Sequence, residues 1–229
     1  RDDVESRGLG DVYKRQIPDI IVSDIMMPVM NGIMMCKILK EDVRTSHIPI
    51  ILLTAKDSLQ DKEEGYQVGA DSYLTKPFSA TLLHSRINNL LESRKRLTER
   101  FNTSTPHHNM DEKRALLAES LNKLDNEFIE KINQLIEARL SSEKIDIGYL
   151  ADNMCMSKST LYRKMKALTG LSTNEYVRKI KMQHAERLLL EGRYNISEVA
   201  FRVGINSVVY FRQCFKEEFG VLPSEYLKQ

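Results

Sequence analysis

Three side chains in this sequence are of the types needed to handle a phosphoryl group: the carboxylate of Asp24, the hydroxyl of Thr54 and the ammonium of Lys76. Each follows a short apolar run. Ile20-Ile21-Val22-Ser23 leads into Asp24 and then Met26-Met27-Pro28, Ile50 to Leu53 leads into Thr54-Ala55, and Ser72-Tyr73-Leu74 leads into Thr75-Lys76-Pro77-Phe78. In open parallel sheets the carboxyl ends of strands collect ligands, because loops converge there around backbone groups the sheet no longer pairs. If the three strands are neighbours, Asp24 can attack a phosphoryl donor to form an acyl phosphate. Thr54 and Lys76 would then bind the oxygens of the new anion.

The elements that must place these groups alternate along the chain. Residues 33–41, 58–68 and 79–93 carry helix formers with apolar positions three or four apart, so strand and helix follow each other three times. That order predicts a parallel sheet. A strand-end Asp by itself is more often a helix cap. Thr54 and Lys76-Pro77-Phe78 in register with it favour the phosphoryl reading.

This set resembles the receiver domain of two-component response regulators. The resemblance implies an α/β flavodoxin-like receiver in which Asp24 is the phosphoacceptor, Thr54 and Lys76 bind phosphate, Tyr73 is the rotating switch aromatic and Lys76-Pro77 is a cis peptide. It also implies Mg2+, held by the Asp24 carboxylate, the Met26 backbone carbonyl and an acidic pair that ends the first receiver strand. Only 23 residues precede Asp24, whereas a strand-helix-strand unit needs roughly thirty or more. Asp2-Asp3 are therefore read as solvated acids, the acidic pair is expected to be missing, and Mg2+ is expected to bind this chain poorly. Residues 1–16 show no apolar periodicity and no initiating Met, and are expected to be a non-native or damaged segment. Residues 17–93 then form a partial receiver, strands 3 to 5 with their helices, whose edge at Ile20 to Val22 is uncovered.

Composition suits a soluble chain of one to two domains: 229 residues, 41% hydrophobic, 29% charged, formal net charge +2. Apolar runs fall far short of the roughly 20 residues that cross a bilayer, so no membrane segment is expected and the cytoplasm is the expected location. Cys36, Cys155 and Cys214 are odd in number, far apart and set in helical patterns, which points to small buried apolar residues rather than a disulfide or zinc framework. His107-His108, His47, His84 and His184 lack partners at metal-ligand spacing. Residues 94–123 read as a linker, with Arg94-Lys95-Arg96, Asn102-Thr103-Ser104-Thr105-Pro106 and a charged run from Met110 to Arg114. Such a segment buries too little apolar surface to fold alone.

Residues 124–229 are helical in pattern and contain a repeat. Ile147, Leu150-Ala151 and Met156-Ser157 match Ile196, Val199-Ala200 and Ile205-Asn206 at an offset of 49; Leu161, Met165-Lys166, Gly170 and Glu175-Tyr176 match Phe211, Phe215-Lys216, Gly220 and Glu225-Tyr226 at 50. Each copy reads as a short helix, a tight turn, a second helix and a Gly stop, which is helix-turn-helix grammar. Leu161, Met165 and Leu168 are the buried stripe of the first copy, and Phe211, Phe215 and Phe219 that of the second. Ser159, Tyr162, Arg163 and Lys166 face outward in one; Val208, Val209, Arg212 and Gln213 do so in the other. A helix from Thr173 to Glu191, opened by a capping box at Ser172 to Glu175 and closed by Gly192, joins them. At roughly 28 Å it approaches the roughly 34 Å between successive major grooves on one face of B-DNA.

These features resemble the arabinose-regulator (AraC) family of transcription factors: Gly204-Ile205-Asn206-Ser207, Tyr210-Phe211, Phe215-Lys216, Phe219-Gly220 and Pro223-Ser224-Glu225-Tyr226. The resemblance implies an all-α domain with two helix-turn-helix units. It places Ser159, Tyr162, Arg163, Val208, Val209, Arg212 and Gln213 at base edges, and Lys166 and Lys216 nearer phosphates. Eight Lys or Arg between Ser157 and Arg187 face only Glu175 and Glu186, a surplus of six that suits a phosphate-facing surface. Glu217-Glu218 are expected to offset Arg212 and Lys216 in the second unit. Together the two halves predict a transcription regulator, not an enzyme, in which receiver phosphorylation controls promoter binding across two adjacent major grooves. Its partners would be double-stranded DNA and a histidine kinase, in cis or in trans, with homodimer formation left open. The alternatives are a phosphotransfer module whose helical domain binds protein, and a ligand-sensing AraC-type regulator.

Overall fold

Ile21–Asp24 (β1), Ile50–Thr54 (β2) and Ser72–Thr75 (β3) form one parallel sheet, in the order β1-β2-β3, in the computed structural model, which describes residues 18–55, 67–102, 122–141 and 145–227. Ile21 lies opposite Ile50 and Asp24 opposite Leu53, while Leu53 lies opposite Leu74 and Thr54 opposite Thr75. The carboxyl ends of all three strands therefore share one edge. Both faces of β2 are buried, which explains why its sequence is a continuous apolar run rather than an alternating one.

Helix α1 (Gly32–Glu41) crosses from β1 to β2, and its cap is local: the Asn31 side-chain oxygen accepts the Met34 backbone N–H at 2.7 Å. Ile33 and Cys36 on its inner face join Ile25, Ile50, Leu52 and Tyr73 in one apolar cluster. At its end the Lys40 ammonium donates to the Ile48 carbonyl at 2.9 Å and pairs with Asp71 at 2.7 Å. The same Asp71 carboxylate accepts the Ile50 N–H at 2.8 Å, so one ion pair ties α1 to the starts of β2 and β3. Helix α2 (Ala80–Asn102) follows β3. It runs well past residue 93, because Glu92–Arg96 at 3.4 Å and Lys95–Glu99 at 3.8 Å make the charged stretch a set of i,i+4 helical pairs. Residues 1–16, most of the helical pattern at 58–68, and the linker residues 103–121 with His107-His108 lie outside the described residues.

By residue contacts the chain divides into two units, Arg1–Leu91 and Glu92–Gln229. The second contains α3 (Lys123–Glu137), α4 (Ile147–Asn153), α5 (Lys158–Thr169), α6 (Thr173–Leu190), α7 (Ile196–Arg202), α8 (Val208–Phe219) and α9 (Pro223–Tyr226). The sequence repeat is also a backbone repeat. After α4 and α7 the chain turns through a residue of positive φ, Cys155 at 53° and Gly204 at 66°. The next residue closes each turn: Met156 donates to the Ala151 carbonyl at 3.0 Å and Ile205 to the Ala200 carbonyl at 2.9 Å. Ser157 and Ser207 cap α5 and α8, and Gly170 and Gly220, both left-handed, end them. Helix α6 opens with the Ser172–Glu175 capping box and closes at Gly192, φ 67°. Its 18 residues span about 27 Å.

Leu161, Met165 and Leu168 of α5 are buried, as are Phe211 and Phe215 of α8. Each such side chain contributes roughly 1.5–3 kcal/mol of transfer free energy. Phe219, expected inside, is only half-buried: at the last turn it covers Phe215 and Tyr226, with ring centroids 4.5 and 5.6 Å away. Cys36 and Cys214 are buried, but Cys155 is exposed, because it occupies the left-handed turn and not the helical stripe its neighbours suggested. Among the described residues no helix is long and apolar enough to cross a membrane.

Candidate functional site

Parallel register brings Asp24, Thr54 and Lys76 to the same edge of the sheet. The Lys76 backbone N–H continues the ladder by donating to the Thr54 carbonyl at 2.8 Å. Its ammonium then reaches across to pair with Asp24 Oδ2, while Asp24 Oδ1 accepts the Met26 N–H at 3.3 Å. Lys76 is the main reason the Asp24 carboxyl is held below the usual carboxylate range, with burial opposing it. The ion pair keeps Asp24 in the ionised form, which is the form that can act as a nucleophile. It also remains open to solvent, with side-chain exposures of 35% for Asp24 and 46% for Lys76. Thr54 is buried and its hydroxyl donates to the Ala55 carbonyl at 3.2 Å. Tyr73 points into the apolar cluster that holds Ile25, one residue beyond Asp24. The Lys76-Pro77 peptide is cis.

Sequence reasoning missed Gly32. A Cβ there would lie 2.3 Å from the Asp24 backbone oxygen, and the Gly32 N–H donates to the Ile25 carbonyl at 2.9 Å. Only a residue without a side chain lets α1 begin this close to the phosphoacceptor candidate. The signal was present as Asn31-Gly32, a cap followed by a glycine inside the helix. The intervening loop exposes Met26 and Val29, and Val29 takes a φ of 72°, unusual for a β-branched residue.

In the helical unit, Ser159, Tyr162, Arg163 and Lys166 on α5 and Val209, Arg212, Gln213 and Lys216 on α8 are exposed, and Val208 is half-buried. The Ser159 hydroxyl is within 2.9 Å of the Ser157 hydroxyl, and Gln213 donates to Glu217 at 3.2 Å. The basic surplus is smaller than the sequence suggested. Lys164, Lys179 and Lys181 are buried, which leaves Lys158, Arg163, Lys166, Arg178 and Arg187 exposed, a surplus of three. Each buried ammonium has a specific anion or carbonyl: Lys164 pairs with Asp125 on α3, Lys179 with Glu218 at 2.7 Å, and Lys181 donates to the Gly204 carbonyl at 3.3 Å. Glu217 and Glu218 are in turn held by Arg178, at 3.7 Å, and Lys179 of α6. They are compensated from the connecting helix and do not simply cancel Arg212 and Lys216.

Residues 5–88 match the response regulator receiver domain family, and residues 150–229 match a helix-turn-helix domain family. The histidine kinase P4 of Formosa agariphila is 35% identical over 213 residues, which is 93% of this chain and 15% of that protein. The DNA-binding dual master transcriptional regulator RpaA of Synechocystis is 42% identical over 82 residues, 36% of this chain and 34% of its own length. The C-terminal domain of AraT, a response regulator from Geobacillus stearothermophilus, shares 31% identity over 44% of this chain and 84% of its own, with a TM-score of 0.41. This chain therefore spans 15% of the length of one curated relative and 34% of the other.

Proposed function

Because this chain carries a response regulator receiver domain followed by a helix-turn-helix DNA-binding domain of the AraC type, we propose that phosphorylation of Asp24 controls sequence-specific promoter binding by residues 124–229. The observation that supports this most directly is the joining, on one polypeptide, of the strand-end Asp24–Lys76 pair to two helix-turn-helix units that each turn through a residue of positive φ. On this reading the chain is a transcription regulator and not an enzyme. Asp24 accepts the phosphoryl group, Lys76 leaves Asp24 to bind its oxygens with Thr54, and Tyr73 senses the change from the apolar cluster beneath. Residues 94–123 connect the two domains, and the family match from residue 5 counts against reading the whole of residues 1–16 as foreign to the receiver.

Ser159, Tyr162, Arg163, Val208, Val209, Arg212 and Gln213 read base edges, and Lys166 and Lys216 bind phosphates. The roughly 27 Å length of α6 is close to the roughly 34 Å groove repeat, which favours one chain reading two successive major grooves. A histidine kinase supplies the phosphoryl group. A relative that matches 93% of this chain bears that name, which favours a kinase on the same polypeptide over one in trans. The cytoplasm is the compartment where both partners meet.

Receiver domains bind Mg2+ for phosphorylation. Here Asp24 and the Met26 carbonyl offer one carboxylate and one neutral oxygen, and the carboxylate is already engaged by Lys76. No group of three or more His, Cys, Asp or Glu residues that could hold a metal occurs among the described residues. These residues do not by themselves fit an octahedral Mg2+ site.

The test is selection of bound fragments from the source genome by the purified chain. Salt-dependent retention of a defined set of promoter fragments, lost in Arg163→Ala/Arg212→Ala, is the expected result. Failure to retain any fragment, or retention indifferent to both substitutions, would sink the DNA reading.

A further inference from the structure

At the far end of α6 the chain leaves an open cleft of about 830 Å³, whose walls include His184, Leu188, Arg193, Tyr194, Phe201 and Arg202. Phe201 on α7 is 71% exposed. The Arg202 guanidinium is stacked 3.8 Å from the centroid of the Tyr194 ring, which fixes a cation beside the exposed aromatic. Two arginines thus line the cleft against one carboxylate, and that one, Glu198, is already accepting the Asn195 backbone N–H at 2.8 Å.

The repeat supplies an internal control. At the offset of 49 that relates α7 to α4, Phe201 and Arg202 correspond to Asp152 and Asn153, both exposed and polar. The helix-turn-helix unit therefore does not need an aromatic and a cation at this place. An exposed large aromatic costs solubility and contributes nothing to the Val199, Ala200 and Val203 face that α7 buries.

We propose that this cleft is a docking surface for a partner protein segment in which an aromatic or aliphatic side chain is flanked by carboxylates. The apolar side chain packs on Phe201 and Leu188, and the carboxylates pair with Arg193 and Arg202. A small molecule fits less well, because a wall as exposed as Phe201 cannot enclose a ligand in the way small-molecule pockets do. An extended segment needs only one face covered. Docking here does not require DNA.

The experiment selects binders to the purified full-length chain from a phage-displayed library of random twelve-residue peptides. The expected consensus is an aromatic or aliphatic residue between Asp or Glu residues. Synthetic copies should bind at least about tenfold more weakly to Phe201→Ser and to Arg202→Glu, while both variants keep the parent's helical circular dichroism and its retention of promoter fragments. Basic or absent consensus sequences, or binding indifferent to both substitutions, would overturn the docking surface and leave the DNA reading untouched. Parallel loss of fragment retention in both variants would overturn it too, by assigning Phe201 and Arg202 to the DNA interface. A chain that retains no fragments but still selects acidic-apolar peptides through these residues would overturn the DNA reading alone.

Discussion

Lys164 and Asp125 form an ion pair with side-chain exposures of 0% and 3%. Lys164 sits on α5, the first candidate recognition helix, and Asp125 in the first turn of α3. The Asn122 side chain donates to Asp125 at 2.9 Å, and the Phe128 ring lies 4.9 Å from the ammonium. Removing one partner strands a buried charge, at a cost of about 3–5 kcal/mol. Asp125→Ala or Lys164→Ala should therefore lower the urea midpoint of the helical unit substantially, whereas Asp125→Leu/Lys164→Met should recover most of the loss. A double variant as unstable as either single one would show that the pair is not the cause.

The two turns make a paired prediction about backbone strain. Cys155 holds a φ of 53° where the second unit has Gly204 at 66°. A left-handed residue other than Gly costs roughly 1–2 kcal/mol, partly offset by the unfolded-state entropy that Gly adds. Cys155→Gly is expected to stabilise the chain by up to about 1 kcal/mol, and Gly204→Ala to destabilise it by about the same amount. Thermal unfolding of the two variants checks both signs.

Titration of Asp24 tests the sheet-edge pair. The Asp24 carboxyl is held below its usual range chiefly by Lys76, so its midpoint in the folded chain, followed by carboxyl carbon NMR, should lie below about 3.9. A depressed folded value means that the pairing favours folding above the unfolded carboxylate's value and fades as pH falls through the folded one. Lys76→Met should move the midpoint upward. An unchanged midpoint would mean that Lys76 does not hold the carboxylate in solution.

Close approach of α1 to the Asp24 loop gives a steric prediction. Gly32→Ala places a Cβ 2.3 Å from a backbone oxygen, and overpacking of this kind costs about 1–3 kcal/mol. Hydrogen exchange at Ile25 and Gly32 should speed up while the amides of α6 and α8 stay as protected as before.

DNA contacts should separate into two classes. Arg163→Ala and Arg212→Ala are expected to cost about 1–3 kcal/mol each on the selected fragment and to relax its sequence preference. Lys166→Ala and Lys216→Ala should weaken binding evenly across sequences and reduce the slope of log affinity against log salt by about 1. Anisotropy titrations at several salt concentrations distinguish the two.

Much of this architecture was legible from side-chain type and spacing, because apolar runs and caps act locally. β2 reads as a buried strand because four apolar residues run unbroken into Thr54, and Ser157, Ser172 and Ser207 announce helix starts through their own hydroxyls. What was not legible depends on contacts between distant residues. Nothing in the run Arg163-Lys164-Met165-Lys166 says that Lys164 turns inward while Lys166 does not, because Asp125 lies 39 residues away. Lys179 and Lys181 were counted as surface for the same reason, and the need for Gly32 arises only when α1 is laid against Asp24. Cys155 misled because the left-handed turn breaks the helical pattern for a single residue.

The two helix-turn-helix turns differ in length by one residue. Cys155 and its capping serine Ser157 are separated by one residue, whereas Gly204 and Ser207 are separated by two. The two readers are therefore presented from unlike hinges and bear unlike side chains, in a fixed order along one rigid helix. A chain built this way has a head and a tail when laid on a duplex. Its site should be a directional word and not a palindrome, so that inverting the site in a promoter would reverse the order in which the two helix-turn-helix units meet its half-sites.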